Sequence, residues 1–243
     1  MKKNRVICLF DYTGNMGRPW AEAGYEVYCY DYQHDKEPRT ESVGKGSIKY
    51  IHWDCYNPLD SYMIGRIHRK HAAMMFSFPM CTDLAVSGAR HFEAKRAKNP
   101  DFHKVAMQAV YTARDIGEAL GCPYFIENPI SMISTFWRKP DFKFDPCDYG
   151  GYLPEDDVHP RWPEYIMPRD AYTKKTCLWT GGGFIMPEMK RVEPVTLTDS
   201  AGNNGSHQWK KLGGKSMRTK NIRSATACGF AKAVFIHYGK EIA

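Results

Sequence analysis

Residues 5–31 read RVICLFDYTGNMGRPWAEAGYEVYCYD. An apolar run ends on Asp11, and glycines follow at 14 and 17 in a turn over 12–17. Pro19 then stands in the first turn of a helix that Gly24 stops, and a second apolar run, 25–31, closes on Asp31. Strand, glycine turn, helix and strand in that order make the unit of a parallel sheet, because parallel neighbours need a crossover between them. The cycle repeats downstream. IKYIHWD (48–54) reads as a third strand ending in an acid, and LDSYMIGRIHRKH (59–71) reads as a helix. AAMMFSFP (72–79) is apolar on both faces, as a covered parallel strand must be. In 101–121 the residues Val105, Ala109, Ala113, Ile116 and Leu120 recur at helical spacing, with Gly121 as the stop. CPYFIENP (122–129) is the fifth strand, and the polar stretch between residue 32 and about 47 reads as a linker. The expected fold is α/β: a doubly wound, mostly parallel sheet whose ligands sit at the strands' carboxyl ends.

The 243-residue chain is 43% apolar and 14% aromatic, enough for a large core. No apolar run reaches the ~20 residues of a membrane-spanning helix, and MKKNRVICLFDYTG reads as a first strand rather than an export signal. A cytoplasmic protein without membrane contact is the expectation. Eight cysteines (8, 29, 55, 81, 122, 147, 177 and 228) lie scattered without a CxxC pair, which suits reduced, mostly buried thiols and no metal. A zinc site from Cys147, Cys177 and His159 is the alternative. The net charge is +7, and Lys and Arg concentrate in 91–104 and 208–223. Those stretches suit a polyanionic partner, or are simply solvated surface. From about 138 to 214 the texture turns irregular and rich in Pro, Gly and aromatics, apart from a strand at 174–180, and a last helix is expected over 224–239. The expected organisation is a main domain over 1–137 and 216–243, with 138–215 as a small substrate-facing insertion.

The chemistry gathers at the strand ends. Asp31 is suited to accept from ribose hydroxyls and Asp54 from an adenine amino group, and with the glycine turn after the first strand they suggest an adenosyl ligand. In FSFPMCTDLAVSGAR (76–90) Cys81 stands just past a strand stiffened by Pro79, before a segment, Thr82–Gly88, that reads as a mobile loop. Taken alone, Cys81 is equally a buried structural thiol. Glu127, at the end of the next strand in FIENP, changes that reading: a thiolate and a carboxyl in one pocket suit addition to an electron-poor ring.

Taken in order, these stretches resemble the DNA cytosine carbon-5 methyltransferases, particularly the short stand-alone members common in bacteriophage genomes. LFDYTGNMGRPWAEAGYEVYCYD is similar to their first two motifs, FSFPMC to the proline–cysteine motif with one extra residue, and FIENP to the glutamate–asparagine motif. AYTKKTCLWTGG resembles the region whose basic residues orient the base, and RTKNIRSATACGFAKAV the last motif. The resemblance implies methyl transfer from S-adenosylmethionine to carbon-5 of a cytosine flipped out of DNA. Cys81 would add to carbon-6 and Glu127, with Asn128 beside it, would hold the ring. Lys174 and Lys175 would stand where family arginines act. The cofactor would be held by Phe10, Asp11, Thr13, Gly14, Gly17, Trp20, Asp31, Tyr32, Asp54 and Pro79. The region after the glutamate motif is small for target recognition, so specificity would be low or supplied by a protein partner. Two rivals are an enzyme using the same cysteine addition on free dCMP or dUMP, and a non-catalytic nucleic-acid-binding protein.

Overall fold

The alternation of apolar runs and helices folds, in the computed structural model, into an eight-stranded mixed, mostly parallel sheet with helices, compatible with a Rossmann-like fold. The structure describes residues 3–198, 200–214 and 216–241. The strands are β1 (Arg5–Leu9), β2 (Glu26–Asp31), β3 (Arg39–Val43), β4 (Gly46–His52), β5 (Ala72–Ser77), β6 (Tyr124–Pro129), β7 (Phe142–Phe144) and β8 (Thr176–Gly181). Their order across the sheet is β3-β4-β2-β1-β5-β6-β8-β7. Neighbours from β4 to β6 run parallel, whereas β3 on β4 and β8 on β6 are antiparallel. The helices joining these strands are α1 (Arg18–Glu22), α2 (Pro58–His68), α3 (Phe92–Lys98), α4 (Phe102–Leu120) and α5 (Ile133–Phe136).

Local chemistry sets these boundaries. The Asn57 side chain accepts from Leu59 N and Pro58 opens α2, so one orphan amide is satisfied and the proline loses nothing. Gly121 takes the left-handed conformation (φ 62°) that ends α4. One sheet face packs Ile7, Leu9, Met75 and Ile126 with Val110, Ala113 and Ile116 of α4. The third strand was expected to run to residue 54 but stops at His52. The supposed linker carries β3, an exposed edge strand joined to β4 across Gly44 (φ 56°). Its sequence, RTESV, hides it, since an edge strand needs no apolar alternation.

The chain divides into two compact units: residues up to 143 with 176–185 and Glu241 form the first, and 144–175 with 186–240 form the second. This differs from the expected division at two places, since β8 joins the sheet and the last helices group with the irregular region. In the second unit a 3-10 turn (Pro146–Tyr152) precedes a short strand pair, β9 (Leu197–Thr198) with β10 (Asn204–Gly205). Three helices follow, α6 (His207–Lys211), α7 (Met217–Ser224) and α8 (Cys228–Tyr238). The single helix expected over 224–239 is therefore α8, set off from α7 by the extended residues Ala225 and Ala227. Phe144, Tyr149 and Phe230 form its aromatic core, with Phe144 and Phe230 stacked at 4.4 Å.

Asp170 caps α8 from outside the helix, its Oδ2 accepting from Gly229 N at 2.7 Å. Burial pushes its carboxyl up to about 7. A raised folded-state pKa stabilises at low pH and loses that contribution as pH rises from about 4, the unfolded carboxylate value, through about 7. Thermal melting between pH 5 and 8 should therefore show stability falling with pH, by up to roughly 4 kcal/mol over the full interval from pH 4. Asp170→Asn, which keeps the acceptor and tolerates the left-handed backbone found there (φ 47°), should flatten that profile.

Candidate active site

The order of connections decides where a ligand fits. From β1 the chain runs outward through β2 to β4, then returns to β5 on the other side of β1. The switch point thus lies between β1 and β5, where loops leaving their carboxyl ends diverge and open a crevice. Phe10 to Gly17 leave one side of it and Pro79 to Cys81 the other.

Asp11 builds the first wall. It is 4% exposed, and its Oδ1 accepts from Thr13 N (2.9 Å), Thr13 Oγ1 (2.9 Å) and Gly14 N (2.8 Å). Phe10 before it is held left-handed (φ 57°) with its N–H on Tyr30 O at 2.7 Å, and such backbone strain in a non-glycine residue collects at functional sites. Gly14 (φ 72°) is required on both counts: its backbone is left-handed, and a Cβ there would lie 2.9 Å from Tyr50 Oη. Gly17 serves packing, since a Cβ would meet Val27 at 2.3 Å. The helix it opens has only five residues, so a helix dipole adds little here. Trp20 is buried against Tyr25 and Phe76.

The second wall joins the two reactive motifs. Parallel pairing sets Ser77 beside Ile126, so Pro79 and Asn128 follow on adjacent strand exits. Asn128, 1% exposed, donates from Nδ2 to Pro79 O at 2.9 Å. Cys81 O closes a turn by accepting from Leu84 N (3.0 Å) and Ala85 N (2.8 Å). Beyond it, Val86 N donates to Ile130 O (3.0 Å) and Met132 N to Leu84 O (2.8 Å), with an antiparallel bridge between Ala85 and Ser131. The segment after Cys81, expected to be a loose loop, is stitched to the segment after Glu127-Asn128-Pro129. Cys81 and Glu127 are each half-buried, open enough for a ligand to reach. No protein-family model matches the chain, and no curated protein matches it.

The remaining expected residues divide in two. Asp31, 4% exposed, accepts from Gln33 N at 2.8 Å, and burial raises its carboxyl to about 6; above that pH it is a strong acceptor. Tyr32 is exposed beside it. Asp54 is exposed, with Oδ1 on Tyr56 N at 2.9 Å. Lys174 and Lys175 belong to the second unit, where Asp145 holds the N–H of the first at 2.8 Å and Nζ of the second at 2.6 Å. Of the zinc alternative, Cys177 lies on β8 in the first unit, and Cys147 and His159 lie in the second. Among the described residues, Cys8, Asp11 and Cys29 do converge, their ligand atoms within 4.8 Å of one another. Cys8 and Cys29 are register partners on β1 and β2; burial pushes the Cys8 thiol up, and the hydrogen bond with Cys8, followed by burial, pushes the Cys29 thiol up.

Sequence reasoning missed a set of buried polar atoms around this crevice. Asp11 Oδ2, Asn15 Nδ2, Trp53 Nε1, Ser77 Oγ, Asn128 Oδ1 and Ser131 Oγ have no hydrogen-bond partner among the described residues. Folded proteins pair the great majority of such groups, and all six sit on or just after strands β1, β4, β5 and β6. Trp53, 3% exposed, also packs on half-buried Phe10, ring centroids 4.9 Å apart, so Phe10 is the partly open ring of the pair. The one available signal was the polar residues set at or just past the ends of the apolar runs, as in DYTGN (11–15) and ENPIS (127–131).

Proposed function

We propose that the protein transfers a methyl group from S-adenosylmethionine to carbon-5 of cytosine in DNA, through a covalent bond to Cys81. The observation that carries this reading is the Asn128–Pro79 hydrogen bond of 2.9 Å, which ties the cysteine turn after β5 to the glutamate strand β6, beside the sheet's switch point. The crevice chemistry fits the cofactor. Half-buried Phe10, backed by buried Trp53, offers an aromatic contact for adenine, Asp31 an acceptor for ribose hydroxyls, and Asp11 Oδ2 and Asn15 Nδ2 an acceptor and a donor for the charged amino-acid end. When bound, S-adenosylmethionine supplies an electrophilic methyl group.

The protein's residues do the rest. The Cys81 thiolate adds to carbon-6 of the cytosine, which moves electron density to carbon-5. Glu127 hydrogen-bonds ring nitrogen 3 and the exocyclic amine, stabilising the ring in its cysteine-bound form. Once carbon-5 carries the methyl group, its proton passes to a water acting as base, and the electron pair left behind reforms the carbon-5–carbon-6 double bond and expels the Cys81 thiolate. Exposed Arg90, Arg96, Lys98 and Lys104 follow the cysteine turn, and spaced cations suit a polymer substrate over a free nucleotide.

DNA carrying 5-fluorocytosine tests the reading, because fluorine at carbon-5 blocks the last elimination. Incubated with S-adenosylmethionine, the protein should stall as a covalent adduct that survives denaturing electrophoresis. No adduct, with cofactor bound, sinks the reading. Asn128→Ala should keep cofactor affinity within about twofold and lower the rate of adduct formation on the order of tenfold to a hundredfold, since misplacing a reacting group by about 1 Å costs that much.

A further inference from the structure

A second feature of the first unit lies away from the switch point, between α2 and α4. There the two helices leave a groove of about 860 Å³, within the size range of small-molecule sites. Tyr56, Tyr62 and Tyr111 line it together with Arg66, Arg69 and Lys70.

The groove is positive. Its two acids are engaged, Asp115 in an ion pair with Arg114 and Glu118 as acceptor for the Tyr124 hydroxyl. Arg66, Arg69 and Lys70 are exposed, and none forms an ion pair among the described residues. The groove is also aromatic: Tyr56 is 48% exposed and Tyr62 is 62% exposed. Rings this open present an apolar face with a polar hydroxyl to whatever enters the groove. Tyr62 and Arg66 stand four residues apart on one face of α2, and Arg69, the helical-backbone residue that caps α2, continues that face seven residues from Tyr62. At 1.5 Å per residue, Arg66 lies about 6 Å along the helix from Tyr62, close to the reach from a base to its phosphate.

We propose that the α2–α4 groove is a second binding site, for a nucleotide unit: a base stacked on Tyr62 and phosphate oxygens held by Arg66, Arg69 and Lys70. Ring stacking beside unpaired cations is the chemistry with which proteins hold single-stranded nucleic acid without reading its sequence. A free nucleotide offers the same two groups. The site uses none of the residues assigned to cysteine chemistry.

The test uses full-length protein carrying Cys81→Ala and no S-adenosylmethionine, so its outcome is independent of methyl transfer. Probes are labelled thymidine monophosphate in equilibrium dialysis, and a fluorescent twelve-residue oligothymidylate in anisotropy and 4-thiothymidine crosslinking. Arg66→Gln/Arg69→Gln/Lys70→Gln and, separately, Tyr62→Ala should each weaken binding about tenfold or more, with crosslinks mapping to residues 55–70. Loss with both probes assigns a free-nucleotide site, and loss with the oligomer alone assigns a single strand. In the second case the triple variant should also reduce the salt slope by about 2, at ~0.7 per phosphate contact. Unchanged binding of both probes overturns the proposal. A change in sedimentation without a change in binding also overturns it, and makes this face a protein contact.

Discussion

Cys81→Ala should abolish methyl transfer while leaving the protein folded and able to bind S-adenosylmethionine. Removing a covalent nucleophile leaves only binding and orientation, and the expected fall in turnover is on the order of 10⁴-fold or more. The fold should not suffer. Cys81 is half-buried, and its backbone carbonyl, which accepts from Leu84 N and Ala85 N to close the turn, is retained by alanine. Measured side by side, the melting temperature and cofactor affinity should match those of the parent, and the 5-fluorocytosine adduct should vanish. A variant that still forms the adduct would place the nucleophile elsewhere. One that loses both the adduct and cofactor binding would make Cys81 a structural thiol after all.

Asp11→Ala is expected to have the next largest effect, and through the opposite route. The substitution removes the acceptor of three hydrogen bonds at once, from Thr13 N, Thr13 Oγ1 and Gly14 N. These donors sit in a buried loop, and a buried donor left unsatisfied costs about 1–3 kcal/mol. The loop should lose its shape and S-adenosylmethionine affinity should drop at least about a hundredfold, with a melting temperature several degrees lower. Asp11→Asn separates shape from charge, because its amide oxygen still accepts from the loop. It should recover most of the stability and little of the affinity, since an ammonium group then meets a neutral partner. Calorimetric titration of both variants checks this; equal affinity for parent and Asp11→Asn would remove Asp11 from the cofactor site.

Much of the scaffold is legible along the chain because parallel strands covered on both faces are apolar throughout. That made RVICL, EVYCYD and AAMMFS readable as strands, with α4 readable from its apolar stripe and Gly121. The same logic hid β3, whose residues face solvent at a sheet edge and carry charge instead of alternation. It also misjudged the residues after Cys81. Thr82 to Gly88 looks like loop composition, yet its backbone is held by partners at Ile130 and Ser131, nearly fifty residues away. No local pattern encodes such pairing.

The candidate site divides along the same line. By itself the sequence determined that acids, glycines, a cysteine and a glutamate follow successive apolar strands, because strand propensity and burial are local properties of the chain. Only the tertiary structure decided which strand ends are neighbours. The return from β4 to β5 across β1 opens the crevice, and the Asn128 amide on Pro79 O joins two motifs far apart in sequence. The unpartnered polar atoms of Asp11, Asn15 and Trp53 became visible for the same reason: whether a buried group has a partner depends on what other segments bring to it.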